Sequence, residues 1–188
     1  MSALIKNKLF GLILLAGLIS SFSVKSQLYL TKNGKVYFAS EAPLEIIKAS
    51  SSKLSGILKT DNKSFTFSVS MKSFNGFNSP LQKIHFNENY IESDKYPTAK
   101  FKGKIIEDID FAKRGKYKVR AKGKFSVHGK ENPMTIRCNI EILKDEIKVS
   151  SKFIVYLKDH NIQIPTIVNQ KLSEKINVTI KTSLKRKN

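Results

Sequence analysis

The segment Lys116–His128, KYKVRAKGKFSVH, sets Tyr117, Val119, Ala121, Gly123, Phe125 and Val127 at every second position, with Lys116, Lys118, Arg120, Lys122 and Lys124 between them. A strand sends alternate side chains to opposite faces, so this segment has one apolar face and one cationic face. Adjacent cations cannot be buried without partners, so the cationic face meets water or an anionic surface. The apolar face carries large residues at both ends and the small pair Ala121 and Gly123 in the middle. Small residues there let a sheet bend and leave room inside it. A tightly curved barrel strand whose gap is filled by a neighbouring side chain fits this segment as well as a ligand cavity does.

The same period recurs on both sides. In Ser64 to Met71, Phe65, Phe67, Val69 and Met71 point one way and Thr66, Ser68 and Ser70 the other. Thr98 to Ile106 sets Ala99, Phe101, Gly103 and Ile105 against Lys100, Lys102 and Lys104. Further runs follow at Lys53–Thr60, Met134–Ile142, Ile147–Val155 and Ile176–Leu184. Near the start, LYLTKNGKVYF holds two short runs around Asn33-Gly34, a favoured hairpin turn. Turns are also expected at Asp61–Lys63, at Glu107–Asp110, from His128-Gly129 to Asn132-Pro133, and at Asp145-Glu146. Ser79-Pro80 gives a helix start, and Leu81, Ile84, His85 and Glu88 have helical spacing, so a short helix is expected to end near Asn89. Lys185–Asn188 reads as a frayed basic tail. The fold class is all-β: about eight antiparallel strands closed into a barrel, which buries the apolar faces and removes the edges. An eight-stranded barrel is just wide enough to be filled by side chains or to hold one small ligand.

Composition narrows the partners. Lys and Arg number 34 and Asp and Glu 15, for a formal charge of +19. Arg stands only at Arg114, Arg120, Arg137 and Arg186. A nucleic-acid binder draws on Arg for bidentate phosphate and guanine contacts, so nucleic acid is not expected as a partner. The lysines read first as a solvated face. The sharper reading is attraction to an anionic membrane surface or an acidic partner.

Residues 1–26 read as an export signal, with Lys6 and Lys8 ahead of an apolar run from Leu9 to Phe22 that is short for a membrane span. Cleavage is expected before Gln27, leaving residues 27–188 as one barrel domain in the periplasm or outside the cell. The single Cys138 allows no internal disulfide, and its neighbours Ile136 and Ile140 make it a core thiol.

Four stretches carry a resemblance. IHFNENYIESDKYPTAKFKGKI, Ile84 to Ile105, is similar to the hallmark segment of the YceI-like family of exported bacterial lipid-binding proteins, with Lys95-Tyr96-Pro97 followed by Phe101 on a strand. GKFSVHGKENPMTI, Gly123 to Ile136, resembles that family's strand, His-Gly turn and next strand, and KVYFASEAPLE, Lys35 to Glu45, also fits. Phe153 to Pro165, with Asp159 and Ile162, is a weaker match. The resemblance extends from Leu28 to Leu184. It implies a lipocalin-like barrel capped by the helix, with an interior that takes a polyisoprenoid, a quinone tail or another long lipid. The chain departs from the family in having no Trp, and in carrying Lys158-Asp159-His160-Asn161 where many members have an Arg-containing stretch.

On this reading the ligand lining is Phe65, Phe67, Val69 and Met71, then Phe101, then Tyr117, Val119, Ala121, Gly123, Phe125 and Val127, and finally Met134 and Ile136. Met and aromatic side chains suit an irregular apolar tunnel. The alternative is that these residues are simply core. His85, Tyr96 and Asp159 are the candidates for a polar headgroup at the mouth. His85, His128 and His160 share no metal-ligand spacing, and no nucleophile elbow, phosphate loop or dinucleotide fingerprint occurs. The expectation is an exported lipid carrier with no catalytic residues, no metal and no cofactor. Its rival is a filled barrel whose lysine face docks on an acidic partner or an anionic membrane.

Overall fold

The computed structural model describes residues 27–187, and in them eight antiparallel strands close into a barrel in chain order, with β1 pairing back onto β8. The strands are β1 Leu28–Glu41, β2 Ile46–Lys59, β3 Ser64–Ser70, β4 Thr98–Ile105, β5 Gly115–Val127, β6 Lys130–Ile142, β7 Glu146–Tyr156 and β8 Lys175–Arg186. The all-β barrel with one short α-helix follows from the alternation: each strand turns its apolar set inward, and closure leaves no edge. The export-signal reading of residues 1–26 lies outside the described residues.

Three local expectations change. Asn33-Gly34 makes no hairpin; β1 runs through it, with irregularities in its pairing to β2 between Thr31 and Gly34 and between Gly34 and Val36. A Cβ at Gly34 would stand 2.5 Å from Thr182 Oγ1, so the glycine serves a close approach of β8 at a bulge. The turn after β5 is tighter than expected. His128 and Gly129, both at positive φ (50° and 70°), form it alone, as primed hairpin turns require. Asn132 and Pro133 therefore lie inside β6, opposite Phe125 and Lys124. Pro133 is tolerated because β6 pairs with β7 only from Cys138 onward. The C-terminal tail is pinned rather than frayed, with Arg186 N–H donating to Asp145 and Lys187 N–H to Leu28.

The helix forms where Ser79-Pro80 places it. α1 spans Pro80–His85, and Ser79 Oγ accepts from Gln82 N–H at 3.2 Å. It then widens into a π-turn over Phe86–Tyr90. The extra residue per turn changes which side faces the barrel. Phe86 and Tyr90 turn in, while Leu81 and Ile84 are left exposed.

Two apolar clusters divide the barrel. At one end Tyr29, Leu58, Ile105, Ile142, Ile147 and Leu184 pack against Phe111 from the β4–β5 loop and close the barrel. At the other end Leu54, Met71, Phe74 and Ile91, with Leu157 and Ile162, pack under the helix and the β7–β8 connection.

Candidate functional site

Between these clusters the barrel is hollow. A cavity of about 460 Å³ runs from Leu58, Phe65 and Ile105 at the closed end to Glu45, Gln82, His85, Lys171 and Leu172 at the other. That volume falls within the roughly 300–1,000 Å³ of small-molecule sites. The hollowness shows in the burial of inward side chains. Phe67, Phe101, Phe125, Phe153, Val178 and Ile180 all line the cavity yet are only half-buried. In a filled core they would be covered on every side.

Glycines shape the space. Gly56 lies opposite Phe67 across β2 and β3, and a Cβ there would fall 2.2 Å from the Phe67 ring. The bare backbone lets that ring lie across β2.

The cavity brings together ten of the thirteen residues read as lining: Phe65, Phe67, Val69, Met71, Phe101, Val119, Ala121, Phe125, Val127 and Ile136. Tyr117, Gly123 and Met134 are not among its lining residues. Tyr117 sits against the closed-end cluster with its hydroxyl donating to Lys113 O at 3.0 Å. The space at Gly123 is taken by β4, whose Lys102 O would stand 2.2 Å from a Cβ. Met134 pairs with Gly123 on the part of β6 that has no β7 neighbour, where it is half-buried.

Of the mouth candidates, only His85 reaches the cavity. The Tyr96 ring packs instead on His128, at 4.8 Å between centroids, and over Gly129. Asp159 is exposed in the short helical turn Leu157–His160, where its backbone carbonyl accepts from Asn132 Nδ2.

Sequence reasoning missed an aromatic group at the open half. Phe38, Phe74, Phe77 and Phe86 form a mutual cluster with ring centroids 5.1–6.0 Å apart, and all four line the cavity. Phe38 was legible from the alternation Val36, Phe38, Ser40 in β1. Phe74 and Phe77 sit in a loop without periodicity, and Phe86 lies in the π-turn, off the helical spacing.

The mouth is strapped together by hydrogen bonds. Glu45 Oε1 accepts from Gln82 Nε2 at 2.6 Å and from Asn78 Nδ2 at 3.2 Å, tying the β1–β2 loop to α1. Leu44 N–H donates to Gln170 O at 2.9 Å and Ser173 N–H to the buried Ser40 Oγ at 2.8 Å, tying that loop and the end of β1 to the β7–β8 connection. A second knot sits beside the cavity. His128 is held between Glu92 Oε2 at 2.8 Å and the His160 carbonyl at 2.9 Å. Burial lowers the His160 imidazole below its ordinary range, against the backbone carbonyl of Lys130 and Asp159, which raise it. Burial also pushes the Cys138 thiol up, so the one thiol facing the cavity is a poor nucleophile.

The outer wall is cationic. Lys102 faces Lys124, Lys104 faces Lys122, and Arg120 faces Arg137 across neighbouring strands. Like charges directly opposite cost stability. Arg120 is offset by Glu107, which accepts from both its backbone N–H and its Nε and whose carboxyl is thereby held below the usual range. Lys124 reaches Glu131 at 2.8 Å. Among the described residues no group of three or more His, Cys, Asp or Glu could hold a metal ion.

The YceI-like domain family matches residues 30–184. Comparison with curated proteins finds no match. Among solved structures, the barrel is similar to a polyisoprenoid binding domain from Saccharophagus degradans implicated in plant cell wall breakdown (TM-score 0.73, 16% identity, 87% of this chain and 100% of that one). It is also similar to Burkholderia cenocepacia BcnA (TM-score 0.65, 15% identity, 80% and 95% of the two chains) and to a Campylobacter jejuni YceI protein (TM-score 0.60, 19% identity, 74% and 85%). At these identities the likeness is one of fold.

Proposed function

This chain belongs to the YceI-like domain family, and on that footing we propose that it is an exported carrier that holds one long apolar lipid, such as a polyisoprenoid or a quinone tail, inside its barrel. The observation that carries the reading is the cavity of about 460 Å³, walled by aliphatic and aromatic side chains, with Glu45, Gln82, His85 and Lys171 among its few polar lining residues. Burying a methylene is worth about 0.8 kcal/mol, so roughly ten carbons supply about 8 kcal/mol before ordering costs. Such binding needs no polar constellation along the tunnel. The lipid's polar end lies at the mouth, beside Gln82, His85 and Lys171. The similarity in fold to a polyisoprenoid binding domain supports the same ligand class. The chain's part is to bind and shield; catalysis, cofactor and metal have no place in this reading. Export through residues 1–26 belongs to it, and N-terminal sequencing of secreted protein should begin at Gln27.

Native mass spectrometry tests the reading. Purified protein mixed with a long-chain isoprenol or a quinone should carry one molecule per chain and melt at a higher temperature. A chain that takes up neither, and gains no stability from either or from a fatty acid, is not a carrier.

A second reading, the cationic wall as a docking face for an acidic partner, is favoured by the facing Lys102–Lys124, Lys104–Lys122 and Arg120–Arg137 pairs. Salt-sensitive binding to an acidic partner without lipid uptake would select it.

A further inference from the structure

Ten large hydrophobic residues are exposed on the described chain, and five of them, Leu44, Ile46, Leu81, Ile84 and Ile167, sit on the three segments that frame the cavity mouth. Their exposure is large: 66% for Leu44, 57% for Leu81 and 91% for Ile167. Each stands beside a mouth residue in sequence. Leu44 and Ile46 flank Glu45, Leu81 and Ile84 bracket Gln82, and Ile167 precedes Val168, which lines the cavity. The hydrogen bonds from Gln82 to Glu45 and from Leu44 to Gln170 hold the three segments in one frame. The result is an apolar collar around the entrance to an apolar tunnel. Large exposed apolar side chains gathered on adjoining segments mark a contact site.

We propose that this collar docks the barrel, mouth first, on the surface of an anionic lipid bilayer, so that a lipid passes between membrane and cavity without crossing water. The proposal rests on the carrier reading and names its partner. Nearness of collar and cavity favours a bilayer over a protein: each of the five aliphatics adjoins, along the chain, a residue that lines the cavity which would receive an acyl or isoprenoid chain. Charge fits as well. On the collar segments Lys48, Lys83, Lys171 and Lys175 balance Glu41, Glu45, Glu88 and Glu174, so the inserting rim brings no net charge into the membrane. Without residues 1–26, which hold three lysines and no acid, the chain carries +16, and the lysine rows of β4 and β5 supply a long-range pull toward anionic headgroups. Attraction falls to the wall and insertion to the rim, the division seen when interfacial segments bury an apolar face at the headgroup boundary.

The chain has no tryptophan, so one introduced tryptophan reports its own surroundings. Ile167→Trp and Leu81→Trp place it on the collar. Ile57→Trp places it on the outer side of β2, beside Leu58 of the closed end, at a position already 42% exposed. Vesicles of mixed phosphatidylcholine and phosphatidylglycerol should shift the emission of both collar variants to the blue, brominated acyl chains should quench it, and Ile57→Trp should not respond. Leu81→Ser, Ile84→Ser and Ile167→Ser combined, all at exposed positions, should lower vesicle partitioning about tenfold or more. Equal response at both ends, response at neither, or binding that the triple variant retains would overturn the collar. A blue shift that grows with protein concentration in the absence of vesicles would give the collar to a second copy of the chain and equally overturn it. Uptake of an isoprenol dispersed without vesicles is measured alongside. Uptake without docking leaves the carrier reading standing and removes the collar; docking without uptake does the reverse.

Discussion

Gly103 on β4 and Gly123 on β5 face each other so closely that a Cβ built on either would stand 2.2 Å from a carbonyl oxygen of the opposite strand, Lys122 for the first and Lys102 for the second. Backbone atoms cannot swing aside as a flexible side chain can. Gly103→Ala and Gly123→Ala are therefore each expected to destabilise the barrel by about 1–3 kcal/mol, the usual cost of forced overpacking, or more. Thermal melts would show it. Gly56→Ala makes a contrast, because its clash is with the Phe67 ring. It should cost less stability and instead shift that ring within the cavity. A Gly123→Ala protein that melts with the wild type would mean that the two strands part freely here.

That pair also marks the limit of what the sequence discloses. Alternation in β3, β4 and β5 placed Phe65, Phe101 and Phe125 on the inner face without ambiguity, because a strand has only two faces. Gly123 fell on the same face, and nothing local to β5 says that Gly103 sits across from it; register between strands is a tertiary property. Asn33-Gly34 failed for a related reason. The dipeptide favours a hairpin in isolation, but β1 pairs on both sides and the glycine is used where Thr182 comes close. The π-turn at Phe86–Tyr90 has no sequence signature, so the helix face was read as Leu81, Ile84, His85 and Glu88, and the inward Phe86 was lost. The mouth was legible only at His85, since which loops meet around it depends on the closure of the barrel.

Cys138 faces the cavity and is the chain's only thiol, which makes it a reporter of occupancy. Burial raises its pKa, and the thiolate is the reactive form, so labelling near neutral pH should be slow beside an exposed cysteine. A small apolar maleimide should react faster than a charged disulfide reagent of similar size, because the route in is apolar. Loading with an isoprenol should slow the maleimide reaction by an order of magnitude or more. Equal rates with and without bound lipid would place the lipid outside the barrel.

His160 is 4% exposed and its pKa is lowered, chiefly by burial, from an ordinary value of 6.5. The sign follows from linkage. Between the depressed folded pKa and about 6.5 the unfolded chain binds a proton that the folded chain does not, so stability falls as pH drops through that window. Above it the group makes no difference. Urea melts across this range should show the loss, and His160→Gln should flatten it. An unchanged pH profile in that variant would assign the dependence to other groups.

Filling and emptying the interior should have opposite effects at its two ends. Ile176 and Ile180 line the cavity from β8, four residues apart on one face, and both are only half-buried because they border open space. Replacing both with Phe adds volume where there is room for it, so the fold should survive with a stability change within about 1.5 kcal/mol, the range for tolerated core swaps. Lipid uptake by native mass spectrometry should drop by at least about tenfold, since each displaced methylene forfeits about 0.8 kcal/mol. Ile147, wholly buried in the closed-end cluster, has no such room around it. Ile147→Ala should cost about 2–5 kcal/mol of stability and leave uptake by the folded fraction close to that of the wild type. Stability and binding thus separate along the barrel axis: packing holds one end, and vacancy gives the other its use. If Ile176→Phe with Ile180→Phe folds and still loads a full-length isoprenol, the chain is bound elsewhere than in this cavity.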